Sequence, residues 1–128
     1  MTVRVVRLGT PRVPAEGVRL GTVRRPPRGV PKKEFAKRNY YDVWFPTLAP
    51  SLPTMKIALS AKTPAQWAKF VKRYKAEMAK PDPSRAIDVL AALSHGADFS
   101  VGCYCEDESR CHRSLLRRLL IDRGAKVA

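Results

Sequence analysis

The sequence predicts a small α/β domain, residues 1–128 as one unit, with a parallel or mixed sheet flanked by helices. Three observations lead there. Two segments near the start alternate β-branched residues with arginine, as strands do. Most of the second half carries apolar residues at helical spacing. Between two such helical stretches lies a short apolar run, the helix–strand–helix order of a βαβ unit. With 128 residues and 45% of them apolar, one core suffices without metal or disulfide support.

Taken in order, Thr2–Leu8 and Val18–Arg25 read as the first two strands. The tetrapeptide RLGT occurs in each, at Arg7–Thr10 and Arg19–Thr22, but nothing around it repeats. Pro11, Pro14 and Gly17 make the connection a turn or loop. The run Arg24-Arg25-Pro26-Pro27-Arg28-Gly29-Val30-Pro31-Lys32-Lys33 is an exposed loop, because its prolines forbid regular structure and its charges require water. Asn39–Phe45 is aromatic enough for a packed strand, and Pro46, Pro50 and Pro53 then impose an irregular path.

Thr63-Pro64-Ala65-Gln66 is a helix start, with a capping threonine, a first-turn proline and a glutamine three residues on. Trp67, Phe70, Val71, Tyr74 and Met78 share the apolar face that follows. Pro81 and Pro83 stop that helix, and Asp82 or Ser84 caps the next, which buries Ile87, Leu90 and Leu93 and ends at His95-Gly96. Asp98–Tyr104 is a buried strand. An acidic turn, Glu106-Asp107-Glu108-Ser109, leads into a last helix that ends at Arg123 with Gly124 as its cap.

Charge narrows the partners. Lysine and arginine number 25 against 11 acidic residues, a net charge of +14. The first 40 residues hold 11 basic and 2 acidic residues, net +9, which leaves +5 for the remainder. Such a field favours phosphate-bearing partners, a small molecule or nucleic acid. No apolar run approaches the ~18 residues that cross a bilayer, so no membrane partner is expected. The charged N-terminus lacks the apolar stretch of a signal peptide, and three cysteines packed between Cys103 and Cys111 do not form a disulfide framework. A cytoplasmic protein is the expectation.

The segment Cys103–Arg113, CYCEDESRCHR, stands at a strand-to-helix junction, where open α/β sheets bind ligands. Three chemistries compete there. The helix start can hold an anion, reinforced by Arg110, His112 and Arg113. Cys111 or Cys105 can act as nucleophile or redox thiol, with His112 or Glu106 as acid/base. Cys103, Cys105, Cys111 and His112 can bind zinc, but C-x-C-x5-C-H lacks paired C-x2-C knuckles. Cys111 and His112, adjacent on a helix, would also diverge by ~100°. Neither metal ligand nor cofactor is therefore assigned. Plain packing competes with all three: His112 shares a face with Leu115, Leu116 and Leu119, cysteine is a small core hydrophobe, and the acidic turn complements the helix dipole.

CYCEDESRCHRSLLRRLL resembles the C-terminal signature of the domain-of-unknown-function 488 family, in which a C-x-E stretch leads into Cys-His-Arg. EGVRLGTVRRPPRGVPKK, from Glu16, resembles that family's acidic-Gly-x-Arg pattern followed by Arg and Pro-Arg-Gly. YDVWFPTLAPS, from Tyr41, resembles its Asp–Trp segment ending in Ala-Pro-Ser, so the similarity runs in order through nearly the whole chain. The resemblance carries no established activity. It implies a compact α/β fold with one site made from two motifs. Arg19, Arg24, Arg28 and Gly29 match the first; Cys105, Glu106, Cys111, His112 and Arg113 match the second. Relatives that keep the histidine without the cysteines shift the emphasis toward His112 and the arginines.

Two arginine-rich segments would repel the Arg110–Arg113 helix start unless an anion, or Glu106, Asp107 and Glu108, lay between them. The expected function is accordingly binding of a nucleotide or nucleic acid between the Arg19–Gly29 segment and the last helix. Arg19, Arg24, Arg28, Gly29, Arg110 and Arg113 would hold the ligand. The alternatives are an enzyme using Cys111, His112 and Glu106, and a structural or protein-interaction module.

Overall fold

A computed structural model describes residues 1–128 and contains four strands and four α-helices. The strands are β1 (Val3–Arg7), β2 (Val18–Gly21), β3 (Val43–Trp44) and β4 (Phe99–Cys103). The helices are α1 (Leu52–Ser60), α2 (Pro64–Met78), α3 (Pro81–Leu93) and α4 (His112–Asp122). The sheet order is β1-β4-β2-β3 and every pairing is parallel. All five residues of β4 are buried, as expected of an inner parallel strand covered on both faces. Its register pairs Cys103 with Arg7 and Gly102 with both Val6 and Gly21. Gly102 leaves room for its neighbours: a Cβ there would lie 2.6 Å from Leu8 Cδ2.

The main core joins Val3, Phe99 and Val101 of the sheet to Phe70, Tyr74 and Met78 of α2, Ile87 and Leu90 of α3, and Leu116 and Leu120 of α4. The α2 residues recur every fourth position, so one stripe of that helix meets the sheet. A smaller cluster, Leu8, Val23, Tyr41, Cys103 and Cys111, fills the space beyond the carboxyl end of β4. No helix is long and apolar enough to cross a membrane.

Several boundaries differ from the sequence expectation. Prolines 46, 50 and 53 do not exclude a helix: Ser51 caps α1 and Pro53 occupies its first turn, where a missing N–H costs nothing. Glu77 of α2 fixes that start by accepting from Ser51 N–H (2.9 Å) and Thr54 Oγ1 (2.6 Å). The Thr63–Gln66 capping box forms as anticipated. Neither Asp82 nor Ser84 caps α3, which begins at Pro81 with Lys80 as its cap, two to four residues earlier. Only Val43–Trp44 of the aromatic segment pairs as strand, and Asn39, at φ 64°, turns the chain ahead of it. Strand β2 ends at Gly21, ahead of the arginine-rich loop. The last helix starts at His112 and ends at Asp122, with Gly124 at φ 84° just beyond. Cys111 therefore stands outside it as the N-cap.

Candidate functional site

Beyond the carboxyl ends of β2 and β4 the loop after β2 and the approach to α4 face one another across a cavity of about 890 Å³. Both sequence motifs contribute to its wall: Arg24, Arg25 and Arg28 from one side, Cys103, Cys105, Arg110, Cys111 and His112 from the other. Phe70, Met55, Ala58, Leu59 and Pro50 supply apolar lining, and Tyr40 and Tyr104 stand edge to face at 6.3 Å. No aspartate or glutamate lines it. The volume lies in the range typical of small-molecule sites.

The arginines differ in what they already hold. Arg24 donates from Nε to the Pro50 carbonyl (3.1 Å) and from Nη2 to the Ala49 carbonyl (3.0 Å), clamping its loop to the approach to α1. Arg110 stacks over Trp67 at 5.2 Å and donates to the Ala61 carbonyl (3.1 Å). Arg25 and Arg28 are exposed at the cavity and belong to none of the molecule's ion pairs. Tyr104 Oη donates to the Arg25 carbonyl (2.9 Å), which ties this loop to the chain leaving β4.

Arg19, Gly29, Arg113 and Glu106 are not part of the cavity lining. Arg19 is fully buried; it meets Glu16 through Nε (2.7 Å) and Nη2 (2.9 Å), and Nη1 donates to the carbonyls of Thr10 and Asn39. Gly29 takes φ 70° with nothing within 4 Å of an added Cβ, so it serves the turn and not a close approach. Arg113 is buried and donates from Nη2 to the Cys105 carbonyl (2.6 Å), while its Nε has no partner. The Glu106 side chain is 86% exposed and reaches only Arg7, at 3.8 Å. Glu108 pairs with Arg117 (2.8 and 3.0 Å) and Asp107 accepts from Ser109. The acidic turn thus leaves the cavity arginines without carboxylate partners.

At one end of the cavity the cysteines and His112 converge. Cys103 and Cys105, two apart at the end of a strand, face the same way and bring their sulfurs to 3.8 Å. Cys111 Sγ lies 3.8 Å from His112 Nδ1. The ligand atoms of Cys103, Cys111 and His112 all fall within 4.8 Å of one another. The expected ~100° divergence of Cys111 and His112 assumed that both were helical. Cys111 is extended, at φ −135° and ψ 152°, and its side chain joins the cluster.

His112 Nε2 is 2.7 Å from the Thr22 carbonyl, which can only accept. In the neutral ring the proton therefore sits on Nε2, and Nδ1 turns its lone pair to the thiols. Hydrogen bonds from Cys103 and Cys105 hold the Cys111 thiol below its ordinary pKa against the opposing effect of burial. Cys103 is pushed up as the donor to its neighbours and by burial, and Cys105 is raised as well.

The sequence reading does not single out Arg25, Tyr104 or Phe70 as site residues. Arg25 lies inside the first motif's RRPPRG run, so the motif was the available signal. Phe70 carried none, because its helical periodicity marks it as core.

A family model described as DUF488-N3a, "Active DUF488-N3 subclade", matches residues 3–124. No curated protein and no solved structure shows significant similarity to the chain.

Proposed function

The chain belongs to the DUF488 family, and from that premise we propose that its cavity binds a nucleotide. Arg25 and Arg28 hold the phosphate, and the apolar and aromatic wall receives the base. One observation carries this reading: a cavity of about 890 Å³ lined by four arginines has no carboxylate to neutralise them. A phosphate satisfies such donors with charge-assisted bonds, while Tyr40 and Tyr104 offer ring faces for stacking. Arg24 and Arg110 shape the wall and add positive potential. The reading keeps Arg28 from the expected anion anchors, drops Arg19 and Arg113, which the fold uses internally, and adds Arg25.

Isothermal titration calorimetry with a nucleoside monophosphate and diphosphate, and with the parent nucleoside, tests it. The phosphorylated ligands are expected to bind and the nucleoside to bind more weakly. Arg25→Ala with Arg28→Ala should lower nucleotide affinity about ten- to hundredfold, since each lost charged hydrogen bond is worth about 1.5–3 kcal/mol before solvent screening. Absence of nucleotide binding, or equal affinity in the double variant, would refute the assignment.

A further inference from the structure

We infer that the cysteine–histidine cluster is a binding site for zinc, or a similarly borderline-soft divalent ion, held by Cys103, Cys105, Cys111 and the Nδ1 atom of His112. This goes beyond the nucleotide reading and uses other residues. Around a tetrahedral ion with Zn–S bonds of about 2.3 Å, two sulfurs stand roughly 3.8 Å apart, and a sulfur and an imidazole nitrogen roughly 3.6 Å. The cluster has 3.8 Å between Cys103 and Cys105 and 3.8 Å between Cys111 and His112. Cys103, Cys111 and His112 are buried with their ligand atoms within 4.8 Å of each other, and half-buried Cys105, its sulfur 3.8 Å from that of Cys103, is the fourth ligand proposed.

Two surrounding features support the assignment. A histidine that binds metal through one nitrogen generally donates its other N–H to an outer acceptor, which fixes the ring. Here Nε2 meets the Thr22 carbonyl at 2.7 Å and leaves Nδ1 for the ion. Arg113 is the second. It is buried, lacks a carboxylate partner, and braces the Cys105 carbonyl with Nη2 while Nε goes unpaired. A divalent ion with three thiolates and a neutral imidazole carries net charge −1, which would compensate that buried guanidinium. The spacing C-x-C-x5-C-H still lacks paired C-x2-C knuckles, but the extended Cys111 removes the second objection, the divergence of Cys111 from His112. As an extended N-cap Cys111 closes the loop from β4 back onto the strand end.

The full-length chain, treated with chelator and reloaded with zinc, is passed through gel filtration and analysed for metal, and the metal-free chain is titrated with cobalt(II). The expected results are one zinc retained per chain, the charge-transfer and visible bands of a tetrahedral cobalt–thiolate centre, and protection of all three cysteines from iodoacetamide by zinc. Cys105→Ser removes the most accessible ligand. In a variant with unchanged circular dichroism, it should weaken metal affinity by at least about a hundredfold, beyond the range typical of an outer-partner change. Three results would overturn the site: no metal retained by a folded chain, a cobalt spectrum without thiolate bands, or alkylation equally fast with and without zinc. Any of these would leave the nucleotide reading intact, because Arg25 and Arg28 are not ligands.

Discussion

Arg19 uses its whole guanidinium inside the protein, between Glu16 and two backbone carbonyls. Removing one partner of a buried pair strands the other charge, which typically costs about 3–5 kcal/mol. Arg19→Met is therefore expected to lower unfolding stability by that order in urea titrations, and Glu16→Gln by somewhat less because its amide can still accept. The pair also sets an acid limit. Burial pushes the Glu16 carboxyl up, but the hydrogen bonds and charge of Arg19, with Ser100, outweigh it and leave the carboxyl below its ordinary range. Its contribution is then present above the unfolded pKa of about 4.3 and is lost as pH falls through the lower folded value. Between about pH 5 and pH 2 the wild type should lose stability more steeply than Glu16→Gln; parallel slopes in acid denaturation would contradict this.

At the scale of elements, the site depends on two loops that their neighbours hold in place. Arg24 binds the carbonyls of Ala49 and Pro50 just ahead of α1, and Glu77 of α2 fixes the Ser51 cap of that helix. Ser51→Ala removes the cap and one of the Glu77 contacts, so a loss of about 0.5–2 kcal/mol is expected in thermal or urea unfolding. Nucleotide affinity, measured well below the melting temperature, should change less than in the Arg25/Arg28 variant. The cap orders a wall of the cavity and contributes no anion donor.

For the molecule as a whole, a net charge of +14 attracts any polyanion, so affinity for nucleic acid alone identifies no site. Salt dependence separates the cases. A nucleotide held by two arginines should lose only a few-fold in affinity between 50 and 200 mM salt. A nucleic acid spread over six to ten phosphate contacts would lose about 10³–10⁵-fold. A steep slope that survives Arg25→Ala with Arg28→Ala would assign binding to the general basic surface and not to the cavity.

Much of the fold was legible because its signals are local. Strand alternation in Val3–Arg7, the Thr63–Gln66 capping box and the apolar stripe of α2 each depend on residues within a turn or two. Less legible was α1, whose prolines read as breakers until Ser51 and Pro53 were seen to form its first turn. The candidate site was half legible. Both motifs were visible in the sequence, and the fold places them around one cavity. Their individual side chains were not: in a single basic segment Arg19 turns inward while Arg25 and Arg28 remain in solvent.

By itself the sequence determined the α/β class, the two motifs, the basic N-terminal segment and the position of Cys103–Arg113 between a strand and a helix. Only the tertiary structure decided which arginines stay free, and that Glu106 lies away from the cavity. It alone released Cys111 from the helix to meet His112 and Cys103. The physical reason is range. Periodicity and caps follow from neighbouring residues, whereas the direction of a side chain at the end of an element is set by the long-range groups that pair with it or crowd it.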